Sequence, residues 1–307
     1  MISKIKSSFL SKINTIGLPI IALCWVSFFW GTTWIASKEG VKHMPALQLV
    51  AIRQFIGGSL YILYFLYKKT PWPKGKQWKA ILIMSVLNFM LSNALSTWGV
   101  KYISSGLGAI IGAIVPLWIV IITFFRGERL PRLTVFGLVI SFGGICVIFY
   151  DHLNDFLKPD FRFGIFISVF STLTWAFGSL YTKKKASSFN PYFSLGLQMF
   201  ISSFFVFAII GATGTSVPLS AIPAISWWSI AYLVVFGAVL TFIAFIYALQ
   251  HLPPEISSIY AYINPIIAVI LGSIIFGEVL NSAIAIGGSV TLFGLYLVNY
   301  ALRKARK

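Results

Sequence analysis

Uncharged apolar runs follow one another along the whole chain, each closed by a short polar or charged break. A helix needs only ~20 such residues to cross a bilayer. The runs predict spans at 17–37, 47–67, 80–100, 104–125 and 133–150, then at 163–182, 193–213, 227–249, 256–277 and 282–302. Helices are required, because an unpaired backbone group in lipid costs several kcal/mol and no alternating barrel pattern is present. The longest polar break, Asp151–Arg162, divides the chain into halves of five spans each. The head, Met1–Ile16, carries Lys4, Lys6 and Lys12 and could introduce a signal peptide. No small-residue cleavage site follows, whereas Trp30, Trp34 and Lys38 do, so the first run is expected to be a retained span.

The two halves repeat one another. Ser104–Pro131 and Pro253–Asn281 both open on small or polar residues, carry a proline inside an apolar run (Pro116, Pro265) and close on Gly127-Glu128 or Gly277-Glu278. At an offset of 145, Trp30 meets Trp175, Phe55 meets Phe200 and Gly57-Gly58 meets Ser202-Ser203. At 149, Trp78 meets Trp227; at 150, Gly137 meets Gly287, Gly144 meets Gly294 and Tyr150 meets Tyr300. A near-constant offset of this kind points to duplication. Five spans is an odd number, so the second copy enters the membrane upside down, the arrangement that gives many transporters two states of similar energy.

Composition sharpens this picture. Hydrophobic residues make up 58% and charged residues 10%, against about a quarter charged in soluble domains. The net charge of +17 sits in short clusters between apolar runs, which speaks for juxtamembrane anchoring and against nucleic acid. With the N-terminus inside, eighteen Lys and Arg fall on the cytoplasmic side and five outside, and Arg53 lies within a span. Both termini are therefore expected in the cytoplasm. Cys24 and Cys146 lie inside apolar runs as packing residues; His43, His152 and His251 are scattered without metal spacing, so no metal or cofactor is expected. No Ser/His/Asp arrangement argues for a membrane-embedded enzyme, and a receptor without transport would leave the duplicated halves without a task.

Ten spans in a five-plus-five repeat, Trp30-Gly31 in the first span, and a proline span ending in Gly-Glu in each half resemble the EamA branch of the drug/metabolite transporter superfamily. The resemblance covers about residues 17–302, with repeats at 17–150 and 163–302; Trp175-Ala176 departs from it by lacking the glycine. It implies an all-α integral membrane protein, ten transmembrane helices in two inverted five-helix repeats around a central cavity. It further implies export of small organic metabolites such as amino acids across the cell inner membrane. The expected partners are a small-molecule substrate and the lipid bilayer, with the chain acting as a monomer.

On the spans that the resemblance places at the cavity stand Trp30, Trp98, Trp118, Trp175, Tyr247 and Tyr260, with polar points at Asn88, Ser92, Asn93 and Asn264. Such a pocket suits a neutral or zwitterionic amphipathic solute. Pro116 and Pro265 each remove a helical hydrogen bond, as static kinks or as flexing points that line the site. Glu128 and Glu278 either cap helix ends or gate the pathway. Mid-membrane carboxylates are absent, which disfavours export of cationic drugs. Arg53 either snorkels to the interface or faces inward, where its guanidinium could take a substrate carboxylate; its repeat mate is Gln198. Trp34, Trp72, Trp78, Trp227 and Trp228 are expected in interfacial belts, and the glycine runs, Gly108 and Gly112 among them, on helix-packing faces.

Overall fold

The computed structural model describes residues 17–127, 130–185, 189–252, 256 and 259–305. The basic head and Glu128 lie outside the described residues. Ten apolar helices follow in chain order: α1 (Leu18–His43), α2 (Ala46–Tyr67), α3 (Lys76–Gly99), α4 (Ser105–Phe125), α5 (Arg132–Tyr150), α6 (Pro159–Lys183), α7 (Pro191–Thr213), α8 (Ala224–His251), α9 (Tyr260–Phe276) and α10 (Ser282–Ala305). The first nine expected spans up to the shorter α9, and α10 after it, thus each have a helix; the chain is a multi-pass membrane protein. Helix α1 runs about two turns past its expected end, because Lys38 inside it donates to the Val100 carbonyl (2.8 Å) and the Ile103 carbonyl (2.7 Å).

Local chemistry sets the helix ends. Asn190 caps α7 by accepting from the Tyr192 and Phe193 amides, with Pro191 in the first turn, where its missing N–H is harmless. Ser104 accepts from the Leu107 amide to open α4. Both glycines of the Gly-Glu pairs take positive φ, +87° at Gly127 and +63° at Gly277, and so end α4 and α9 in the left-handed turn that glycine makes without strain.

In lipid no hydrophobic force drives helices together, so association relies on close packing and polar contacts between small residues. Two crossings do this on the symmetry axis. At the first, α2 meets α7: a Cβ on Gly58 would lie 2.6 Å from the Phe200 amide nitrogen, and the repeat mates Phe55 and Phe200 stack on each other at 5.4 Å. At the second, α5 meets α10, with Gly144 against Gly287 and Gly137 against Gly294. Between those contacts the repeat mates Ser141 and Thr291 exchange hydroxyl-to-carbonyl hydrogen bonds of 3.2 and 3.4 Å. A residue that touches its own repeat mate must sit on the two-fold relating the halves. The repeats are therefore inverted around an axis between the crossings, and the remaining helices enclose a cavity there.

The halves differ in their proline helices. Pro116 does not kink a continuous helix: α4 is two pieces, Ser105–Gly112 and Val115–Phe125, and Pro116 stands in the first turn of the second. Pro265 lies inside the unbroken α9. Helices α3 and α8 share a feature with no mark in the sequence pattern, a π-helical segment at Ser85–Asn93 and at Leu233–Leu240. Wide turns of this kind are rare and concentrate at functional sites. Side chains collect the carbonyls they present: Gln54 donates to Phe89, Trp30 to Gly237, and Tyr61 to Ala238 and Val239.

Candidate functional site

A cavity of about 960 Å³ runs along the axis, lined by α1, α2, α3, α4, α6, α7, α8, α9 and the end of α10. At one end its lining reaches Gln77, Lys183, Gln250 and Arg303, the last three exposed. At the other it stops at Trp34, Ser37 and the fully buried Val100. These are called the Arg303 end and the Lys38 end below.

The Lys38 end is held shut by polar contacts between the halves. Glu278, just past the left-handed turn at Gly277, reaches across to the first turn of α4. Its carboxylate accepts from the Ser105 amide (2.7 Å), the Ser105 hydroxyl (2.8 Å) and the Gly106 amide (3.2 Å). This is the place where a helix has unpaired N–H groups and the positive end of its dipole. The absence of a side chain at Gly272 leaves room for the carboxylate. Lys42 adds its ammonium over the Phe276 ring at 4.0 Å. Beneath this layer Trp34 lies on Gly108 and Gly112, so the two glycines receive an indole and not a helix backbone. Trp34 is thus an internal plug and not part of the interfacial belt, where Trp72, Trp78 and Trp228 are exposed.

Seven of the ten expected binding residues line the cavity: Trp30, Asn88, Ser92, Pro116, Trp175, Tyr260 and Asn264. Three lie elsewhere. Trp98 packs edge-on against Phe163 of α6, Trp118 donates to the Thr172 hydroxyl (3.0 Å) and packs into the core under α5, and Tyr247 lies tilted against His251, one turn on in its own helix. Each sits on a lining helix, but Trp98 and Trp118 are on faces turned toward α6. Pro265 also lines the cavity, while Glu278 acts as the cap just described.

Phe242, Phe245, Gln54 and Thr97 also line the cavity and were not anticipated. Trp30, Phe242, Phe245 and Tyr260 form one aromatic cluster with ring centroids 4.8 to 5.2 Å apart around Trp30. A polar group also lines the cavity: Arg53 donates to Asn93 and to the Thr97 hydroxyl (3.4 Å), and Gln54 donates to Asn93 (3.2 Å). Asn88 donates to Gln198 (3.4 Å). Arg53 is 8% exposed, so it has turned inward and does not snorkel. No described carboxylate lines the cavity, and among the described residues no cluster of His, Cys, Asp and Glu could hold a metal.

The EamA-like transporter model matches residues 17–150 and 162–300, once per half. The chain belongs to the EamA-like transporter family. Among relatives of this EamA-like chain, the Escherichia coli K12 protein described as "Uncharacterized inner membrane transporter YedA" is 25% identical over 284 residues, 92% of this chain and 90% of that one. The Bacillus subtilis protein described as "Uncharacterized transporter YvbV" is 26% identical over 289 residues, 91% of this chain and 90% of that one. A WAT1-related chloroplastic protein of Arabidopsis thaliana, At3g02690, is 24% identical across 89% of this chain and 67% of its own. A crystal structure shares the EamA-like fold at a TM-score of 0.63 and 15% identity, covering 91% of this chain and 96% of its own.

Proposed function

We propose that this EamA-family transporter exports small organic metabolites, amino acids among them, across the cell inner membrane by alternating access between the repeats 17–150 and 163–302. The observation that carries the reading is the asymmetry of the cavity, sealed at the Lys38 end and continuous with exposed residues at the Arg303 end. An inverted repeat can exchange the conformations of its halves, and the exchange turns such a cavity over. The bias of Lys and Arg toward the Arg303 end supports a cytoplasmic position for that end. The described state is then inward-facing, with both termini inside. The breaks at Pro116 and the π-helical segments supply the flexing points. Placement in the inner membrane follows the description of the YedA relative.

The test compares metabolites released by a deletion strain, its complemented form, and a complement locked by a cysteine crosslink between α4 and α9. Release of a defined set of solutes is expected only with the mobile complement. Identical release profiles in all three would reject the reading.

A further inference from the structure

Resting on that reading, we infer that the transported solute is an organic acid whose carboxylate is received by Arg53 and whose apolar or aromatic body lies against Trp30, Phe242, Phe245 and Tyr260.

Arg53 lies seven residues into α2, about 10 Å along the helix. An arginine at that depth is costly unless a counter-charge or a full set of acceptors meets it. Among the described residues neither is present. Its neighbours Asn93, Thr97 and Gln54 are neutral, and its Nε has no acceptor. The other cations lining the cavity, Lys183 and Arg303, stand at the open end, so a solute that enters there meets positive potential along its path.

The duplication separates a structural from a functional role. Arg53, Gln54, Asn93 and Thr97 correspond, at offsets of 145 and 149, to Gln198, Met199, Phe242 and Ile246. All eight line the cavity. The same helical framework is thus built in one half with a cation, two amides and a hydroxyl, and in the other with the neutral amide of Gln198 and three apolar side chains. The fold does not need the charge. One pole recognises an anion and the mirror pole an apolar surface, and with no described carboxylate between them an ammonium group finds no ionic partner.

Tryptophan fluorescence of the purified full chain reports binding, since Trp30, Trp34 and Trp175 line the cavity. Three probes with one body are titrated: phenylacetate, phenylacetamide and phenethylamine. Phenylacetate is expected to bind about 10- to 100-fold more tightly than the amide, the range set by hydrogen bonds to a charged group, with the amine weakest. Arg53→Gln should bring phenylacetate down to the level of the amide, and Arg53→Lys should restore part of the preference. Equal binding of the three probes, preference for the amine, no binding of phenylacetate, or an unchanged preference in Arg53→Gln would each overturn the inference. Should Arg53→Gln not fold, the acid-to-amide ratio of the unaltered protein decides. Acid preference without metabolite release leaves the anion site standing and rejects export; release without acid preference does the reverse.

Discussion

Leucine in place of Gly144 is expected to prevent assembly of the bundle, whereas leucine in place of its neighbour Gly143 is expected to leave it intact. A Cβ on Gly144 would lie 2.5 Å from both the Gly287 carbonyl oxygen and the Thr291 amide nitrogen. Those are backbone atoms of α10, which cannot rotate aside as a flexible side chain can. The helices must separate, and separation breaks the reciprocal Ser141–Thr291 hydrogen bonds and the matching contact of Gly137 with Gly294. Overpacking of an ordinary core costs about 1–3 kcal/mol, and displacement of a whole crossing places Gly144→Leu at or beyond the upper limit. A Cβ on Gly143 meets nothing within 4 Å, so Gly143→Leu should stay within about 0.5 kcal/mol, as surface substitutions do. Gel filtration and thermal unfolding in detergent measure both variants. Equal behaviour of the two would mean that the α5–α10 crossing does not hold the halves together.

Glu278→Ala is expected to release the Lys38 end. The change removes the acceptor of three hydrogen bonds and leaves the Ser105 and Gly106 amides at the start of α4 without that carboxylate. Hydrogen bonds to a charged group contribute about 1.5–3 kcal/mol, so loss of the latch should shift the balance of states toward the outward-open form by about 10- to 100-fold. A cysteine introduced at Ser37, in a chain with Cys24 and Cys146 replaced by serine, reports this through labelling by an impermeant maleimide added outside. Faster labelling in Glu278→Ala, together with slower turnover, is the expected result. Glu278→Gln keeps the shape but loses the charge and should fall between the two. Unchanged labelling would reduce Glu278 to a local cap without a part in the transition.

The spans and the duplication are legible in the sequence because lipid imposes them. A backbone that must satisfy its own hydrogen bonds over the thickness of a bilayer leaves long uncharged runs, and an inverted copy leaves Trp30 with Trp175, Pro116 with Pro265 and Glu128 with Glu278 in step. The inward faces are less legible. In a soluble helix the polar face marks the outside; in a helix surrounded by lipid both faces are apolar. Trp98, Trp118 and Tyr247 stand on lining helices, yet their rings turn to Phe163, Thr172 and His251. Trp34 reads as an interfacial residue from its place near a span end, and only its fit on Gly108 and Gly112 makes it a plug.

By itself, then, the sequence determined an all-helical membrane protein of ten spans in two inverted halves, since span length, charge bias and repeat offset are properties of the chain in one dimension. Tertiary structure alone decided the rest. It turned Arg53 inward against Asn93 and Thr97, divided α4 before Pro116, widened α3 and α8 into π-helical turns, and carried Glu278 across to cap the opposite half. These outcomes depend on which small residues let two backbones meet, and on which unpaired carbonyls and amides then find a side chain. Such partners lie far apart along the chain, as Glu278 and Ser105 do, and only the packed bundle brings them together.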